Sequence, residues 1–487
     1  MSPRVALAAI PESGRRALGL LTELAGAGGA LWLVGGAVRQ LLAAEPLGDL
    51  DVAVRSGALA LGRRLADRLG ASFVVLDESR GAGRIVGAEV PLPVDLVDFR
   101  APTLEEDLRA RDFTVNALAA PLADLLRDGS AEVTDATGGL GDLGDHVVRA
   151  CSPIAIADDP VRALRGVRLA MREGWQLEPE TEAAIRAGAP LLTGVAAERV
   201  RDELVGILSE RRAAAGLRML DRVGALTVLL PESAAMRATS QPLPHRFDVW
   251  EHSIRTVEGV DVLLSDLDAL APWGAALREH LGELLGGGIA RRETLRLAGL
   301  LHDVAKPETR SEQGGRVRFF GHDAAGALRT GAIAERLRLP RRASQVLERL
   351  VAEHLRPMHL AQAGQITRRA RFRFFRDLGE DTRDLLLLAL ADAAALTGGS
   401  PLAVWAGEGG TVVRDLMAGA EEAAAAATTA PLLRGQEVMA AFHLPPGPEV
   451  GRLLDRAREA QALGLVTTRE EALDYLRRRG GDADAGA

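Results

Sequence analysis

At 487 residues, with 47% apolar and 26% charged side chains and a formal charge of −8, the chain exceeds the ~250–300 residues at which a single hydrophobic core stops growing, so two to four domains are expected. The composition excludes a disordered chain. The one cysteine, Cys151, excludes an internal disulfide, and Pro3, Pro11, Glu12 and Glu23 break up any leader-like apolar stretch, so a cytoplasmic protein is expected. The ~18 consecutive apolar residues that a membrane helix needs occur nowhere, and Leu385–Leu390 is too short to span a bilayer. No membrane partner is expected. The acidic total argues against a uniformly nucleic-acid-binding surface. Arginines nevertheless cluster at Arg162, Arg165, Arg168 and Arg172, and again at Arg368, Arg369, Arg371, Arg373 and Arg376.

In chain order, Leu31–Val34, Leu50–Val54, Ser72–Leu76 and Val94–Phe99 read as strands among helical stretches, predicting a small α/β domain over 1–150. From Pro160 to Leu476 the apolar spacing of three and four predicts an almost wholly helical body. Boundaries are expected near Pro231–Pro244, at Gly286–Gly288 and in the alanine-rich Ala418–Ala430, with Gly480–Ala487 a frayed tail.

The strand Leu31–Val34 runs into Gly35-Gly36 and then a helix carrying Arg39, so helix-start amides can face an anion. Asp49 and Asp51 flank Leu50, and strand alternation turns both carboxylates to one face. Two hard oxygen ligands so placed suit Mg²⁺. A third carboxylate comes from Asp95 or Asp98, between which the sequence does not choose. Downstream, Asp107 to Leu118, containing Arg111, Asp112 and Asn116, joins a charged stretch to an apolar helix start. Asp135-Ala-Thr-Gly-Gly139 and Asp142 follow. In Asp158-Asp159-Pro160-Val161-Arg162, Pro160 suits a first helical turn that an acid can cap. Beyond it Leu164, Val167 and Met171 form a packing stripe. Arg162, Arg165, Arg168 and Arg172 share an adjacent arc of roughly 120°, where the guanidiniums repel one another without an anion.

These segments, in this order and spacing, resemble the class II CCA-adding tRNA nucleotidyltransferase and bacterial poly(A) polymerase family. The resemblance extends to Ala197-Glu198-Arg199-Val200, to Leu444–Pro448, and to Glu459-Ala-Gln461 and Thr468–Ala472. It implies an α/β nucleotidyltransferase head (polymerase-beta-like) over 1–150, then an all-α body containing an HD domain: a nucleotide- and RNA-binding neck over 151–235, the HD domain over 236–400 and a helical tail over 401–487. It further implies template-independent addition of CMP and AMP to the tRNA 3′ end from CTP and ATP, with poly(A), A-only or CC-only products as alternatives. Asp49, Asp51 and Asp95 would then be catalytic, the first two holding Mg²⁺. Gly35, Gly36, Arg39, Arg111, Asp112, Asn116, Asp159, Arg162, Arg165 and Arg168 would bind nucleotide, Asp159 and Arg162 reading the base edge. Gln40, Ala110 and Asp158 depart from the family's usual residues.

In the body, His252, His302-Asp303, His322, His354 and Asp392 follow the order of an HD phosphohydrolase, which this set resembles. Mixed imidazole and carboxylate ligands suit Mn, Co, Ni, Fe or Zn. His302 and Asp303 are expected on a helix over Leu295–Val304, sharing one metal with His252 and Asp392, while His322 and His354 serve a second. Lys306 can meet a phosphate, and His245 is left open. His146, His280, His359 and His443 read as structural or surface residues. Phe372 and Phe375, between the arginines of 368–376, read as core.

Overall fold

The computed structural model describes residues 3–26, 29–172, 174–427 and 430–480. Positions 481–487 of the expected tail and 428–429 of the alanine-rich stretch lie outside the described residues. The chain forms two compact units, Met1–Ile207 with Arg218–Leu229, and Leu208–Leu217 with Leu230–Ala487.

The first unit is built on a seven-stranded sheet. Its spatial order is Ser72–Asp77, Ala82–Gly87, Val90–Asp98, Leu50–Val54, Leu31–Val34, Leu118–Pro121 and Thr134–Asp135. Leu50–Val54 runs parallel to Val90–Asp98 and antiparallel to Leu31–Val34. This central strand is buried along its length except at Asp51, which is half-buried. One face packs Leu33, Leu50, Val52, Ile85 and Leu96 against Leu18, Leu21 and Leu65 from helices Glu12–Ala25 and Ala58–Leu69. An apolar run that long, with a single acid in it, is what a strand covered on its core face and open at one point requires.

Two readings of this unit are corrected. Residues after Asp112 do not start a helix: Thr114–Asn116 is a single 3₁₀ turn, and Leu118–Pro121 pairs with Leu31–Val34. Tertiary contacts fix that turn. Asp142 accepts the Thr114 hydroxyl at 2.7 Å. Gly139 lies so close that a Cβ there would come within 2.1 Å of the Thr114 carbonyl oxygen. The second correction is an added strand, Ala82–Gly87, whose Gly83 and Arg84 hide its alternation.

In the second unit, helices Val249–Ser265, Arg291–Leu301, Arg341–Glu353 and Thr382–Ala395 pack together. Thr382–Ala395 is apolar on nearly every side and correspondingly buried, a core helix rather than a surface one. Gly286–Gly288 is not a boundary. All three glycines have positive φ and turn a small hairpin between Leu284–Gly286 and Ile289–Ala290. A second hairpin, Ser311–Gln313 with Arg316–Arg318, turns at Gly314-Gly315. The body is therefore less purely helical than its spacing predicts. The helix Arg368–Leu378 buries Phe374, with Phe372 and Phe375 only half-buried. Its arginines meet acids: Arg369 and Arg373 pair with Glu459, Arg371 with Asp415, and Arg376 with Asp377. Helices Gly435–Phe442, Pro448–Ala462 and Arg469–Gly480 share a small core of their own.

A buried ionic knot ties the second unit. Arg291, 1% exposed, donates to Glu283 at 2.5 Å, Asp381 at 2.8 Å and Asp384 at 3.0 Å. His280 reaches the same Asp384 at 2.7 Å, which accounts for that histidine. Removing Arg291 strips these acids of their shared buried cation and leaves Asp384 with His280 and Asp381 with Arg349. Arg291→Ala is therefore expected to lower the unfolding free energy by about 3–5 kcal/mol in urea melts. A loss under ~1 kcal/mol would show that the knot contributes no more than a surface pair.

Candidate functional site

Among the described residues each unit brings together side chains able to hold metal ions. In the first, Asp51 stands opposite Asp95 across the parallel strand pair, and Asp49 lies one residue ahead of the central strand. Oxygens of all three carboxylates fall within 4.8 Å of one another. Asp98 is elsewhere: its Oδ1 accepts the Ala58 amide at 2.7 Å, at the start of helix Ala58–Leu69. Burial, then Asp49 and Asp95, push the Asp51 carboxyl up to about 7 against the opposing pull of Arg111 and the Gly36 amide. Three acids this close call for a positive charge, and their all-oxygen donor set fits a hard divalent cation.

The turn Gly35-Gly36 is shaped by the same carboxylate. Gly35 has φ +68°, and a Cβ on it would stand 3.0 Å from Asp51 Oδ2, so this position needs glycine both for conformation and for room. In the helix that follows, Gly35–Leu42, Arg39 is buried; it donates to Asn116 Oδ1, while its Nε has no partner. Burial, then Arg172, lower its pKa to about 10. A buried guanidinium with a spare donor is a site for an acceptor.

Several expected nucleotide contacts are engaged with the protein itself. Arg111 grips Asp107 through Nε at 3.1 Å and Nη2 at 2.9 Å. Asp112 Oδ1 accepts the Phe113 amide at 2.8 Å, and its Oδ2 accepts Arg165 at 3.0 Å. Burial alone raises the Asp112 pKa, but Arg165 and the Phe113 amide outweigh it and hold the group at about 2. Asp159 accepts Arg199 at 2.8 Å and lies 3.6 Å from Arg80.

The arginine helix, Arg162–Ala170, departs from its helical-wheel reading. Arg162 is buried and donates to the carbonyls of Ala110, Arg111 and Ala155 at 3.2–3.4 Å. Arg165 and Arg168 share Glu203, both at 2.9 Å, and Arg172 meets Glu45 at 2.6 Å. The stripe has its counter-charges within the protein. Sequence reasoning also missed Arg84, whose guanidinium reaches Asp95 and Asp49. Its signal was position: Arg84 faces Asp95 directly across the antiparallel pair.

In the second unit the expected set does converge, from the ends and interiors of five helices. His252 lies in Val249–Ser265 and Asp392 in Thr382–Ala395, while His322 opens His322–Arg336. His302 and His354 cap the C-terminal ends of Arg291–Leu301 and Arg341–Glu353, so the helix expected over Leu295–Val304 stops at Leu301. Two trios form, His252, His302 and Asp392, and Asp303, His322 and His354. Asp303 sits between them, Oδ2 3.2 Å from His302 Nε2 and Oδ1 3.3 Å from His322 Nε2. It is a bridge, where the sequence reading placed it with the first group alone.

Tautomers make this cluster fit metal ions. Nδ1 of His302, His322 and His354 donates to the carbonyls of Gly299, Phe319 and Val351 at 2.7–2.9 Å, leaving each Nε2 as a lone pair aimed inward. His302 Nε2 then faces His252 Nε2 at 3.3 Å, and His322 Nε2 faces His354 Nε2 at 3.3 Å. The His322 and His354 lone pairs repel unless a cation lies between them, while His252 Nε2 also meets Asp392 Oδ1 at 2.9 Å. Burial, then His302, lower the His354 pKa to about 4, which keeps it neutral and able to ligate. Lys306, itself buried, holds Asp303 Oδ2 at 2.7 Å and Gln241 at 2.7 Å. His245 stacks edge-on to His252 at 5.0 Å with its Nδ1 buried and unpartnered.

Known protein families match the stretches of chain that contain both constellations. The poly A polymerase head domain family matches residues 31–149, the RNA and SrmB- binding site of polymerase A matches 174–236, and the HD domain matches 249–396. A head and an HD domain of these kinds imply use of divalent metal. The chain is 37% identical to the A-adding tRNA nucleotidyltransferase of Deinococcus radiodurans, over 92% of its own length and 94% of the relative's. It is 36% identical to the CC-adding tRNA nucleotidyltransferase of Thermus thermophilus, over 91% and 92%. The Thermotoga maritima CCA-adding enzyme complexed with tRNA has the same fold, with a TM-score of 0.58 at 19% identity over 98% of this chain and 99% of that one. Among the described residues no helix is long and apolar enough to cross a membrane. With relatives alike over nine-tenths of its length, this chain belongs to the tRNA nucleotidyltransferase family.

Proposed function

We propose that this chain adds CMP and AMP to the 3′ end of tRNA, using CTP and ATP, in the cytoplasm. The observation that carries the reading is the convergence of Asp49, Asp51 and Asp95 beside the Gly35-Gly36 turn. Those carboxylates would hold Mg²⁺, which when bound polarises the α-phosphate and favours deprotonation of the attacking hydroxyl. The tRNA 3′-oxygen bonds to the α-phosphorus as the bond to the β-phosphate oxygen breaks, and pyrophosphate leaves. The Gly35-Gly36 turn and Arg39, beside this trio, would supply donors to the triphosphate. Asp159, held by Arg199 and Arg80, offers its carboxylate to a base edge, and Arg162 braces the adjoining backbone.

If Asp159 reads the base, Asp159→Ala should change the relative incorporation of CTP, ATP, UTP and GTP by about tenfold or more, with little change in melting temperature. Unaltered relative incorporation would remove Asp159 from that role.

A second reading is favoured by the names of the full-length relatives, one A-adding and one CC-adding: the chain performs only part of the CCA addition. Incubation with tRNAs ending at the discriminator base, at C or at CC, with each NTP, followed by sequencing, separates the two. A product carrying all three nucleotides on the shortest tRNA supports complete addition, whereas products that stop at CC, or extension of the CC-ending tRNA alone, support the partial reading.

We further propose that the HD cluster binds transition metal ions and hydrolyses phosphoesters. His252, His302, Asp303, His322, His354 and Asp392 would be the ligands. Imidazole donors favour Mn, Fe, Co, Ni or Zn over the Mg²⁺ of the head.

A further inference from the structure

Arg84 is the one cation that hydrogen-bonds into the acidic trio among the described residues. Its Nε donates to Asp95 Oδ1 at 2.7 Å and its Nη2 to Asp95 Oδ2 at 2.7 Å. The same Nη2 reaches Asp49 Oδ2 at 3.1 Å. This fork bridges two of the three carboxylates, and it does so on a strand whose register sets Arg84 directly against Asp95. Strand pairing, rather than a chance rotamer, delivers the guanidinium to the acids. A bidentate guanidinium occupies both oxygens of Asp95 and one of Asp49, the lone pairs that a divalent ion also needs. The two cations cannot share them fully. The Arg84 side chain is 38% exposed and long enough to swing clear, so exchange needs no rearrangement of the sheet.

We propose that Arg84 is a positioning residue of the nucleotidyl-transfer site: it neutralises and aligns Asp49 and Asp95 before metal binds, and yields those oxygens to the divalent cation. This rests on the reading of Asp49, Asp51 and Asp95 as the metal ligands. Arg84 thereby preserves the carboxylate geometry and weakens metal affinity, because each ion that binds must displace it. Asp51, which Arg84 does not touch, remains the first carboxylate open to an incoming ion.

The test titrates Mg²⁺ into the full-length, chelator-stripped protein by calorimetry. The Asp51→Ala protein defines which part of the isotherm belongs to this site rather than to the histidine cluster. Arg84→Met should bind Mg²⁺ about fivefold more tightly, as expected when a competing pair worth ~1 kcal/mol is lost. Its melting temperature should fall in EDTA and recover in Mg²⁺. Arg84→Lys, which keeps the charge without the fork, should lie between wild type and Arg84→Met in both measurements, and it serves should Arg84→Met fail to fold. The apparent Mg²⁺ requirement for nucleotide addition should fall in parallel. Unchanged or weaker Mg²⁺ binding in the variants, or a melting temperature lowered equally with and without Mg²⁺, overturns the exchange and leaves Arg84 an ordinary sheet contact. If wild type and Asp51→Ala give identical isotherms, the assignment of the metal ligands falls instead, and this proposal with it.

Discussion

Asp51→Ala should reduce nucleotide addition by about a thousandfold or more while leaving tRNA binding nearly intact. The size follows from the several kcal/mol of transition-state stabilisation that a metal at the reacting phosphate supplies. Asp51 is the carboxylate best placed to matter, half-buried between Asp49 and Asp95 and set against the turn that would face the triphosphate. Loss of folding cannot mimic this result. Removing one of three mutually repelling acids should leave the metal-free melting temperature unchanged or higher. Asp49→Ala should act similarly on turnover. The measurement is single-turnover extension of a tRNA lacking its last nucleotides, paired with filter binding of the same tRNA. Near-normal extension in either variant would contradict the assignment.

The second large effect is expected in the other unit. His302→Ala combined with Asp303→Ala should abolish metal-dependent hydrolysis of 2′,3′-cyclic phosphate, 2′-phosphate or an aryl phosphate, yet leave CMP and AMP addition largely intact. Asp51→Ala should do the reverse. Because Asp303 faces both trios, Asp303→Ala alone should release every ion the cluster holds. Asp392→Ala, which removes a ligand from one trio, should release fewer. Elemental analysis of the purified proteins reads this directly, whichever substrate is used. If no metal loaded into wild type supports hydrolysis and the double variant retains the same metal content, the cluster is scaffolding.

Much of both constellations was legible because each is written at short range. Asp49 and Asp51 are two residues apart, and the strand Leu50–Val54 announces itself by an apolar run broken only by Asp51. His302 and Asp303 are adjacent, and each further ligand lies in or at the end of a helix whose apolar content marks it in the sequence. Long-range countercharge was not legible. Arg165 finds Glu203 38 residues away, and Arg172 finds Glu45 127 residues away. A helical wheel shows that four arginines crowd one face but cannot show the acids that cross over to meet them. Nor does it show Arg162 turning inward to the carbonyls near Ala110. Arg84 escaped notice for a related reason: between Gly83 and Ile85 it sits in a segment too poor in apolar alternation to read as a strand. The 3₁₀ turn at Thr114 is held by Asp142 and Gly139, contacts that no local propensity encodes.

Lys306 is the sole lysine in the sequence, and it is buried against Asp303 and Gln241. Every other side-chain cation of fixed charge is a guanidinium, which amine-directed acylating reagents do not attack. The histidine pocket therefore carries a built-in chemical clock. Acylation of a lysyl side chain anywhere in this protein reports a single event, the opening of that pocket far enough to free the Lys306 amine, and its rate can be followed by the mass of the peptide that carries Lys306, without introducing any label or mutation.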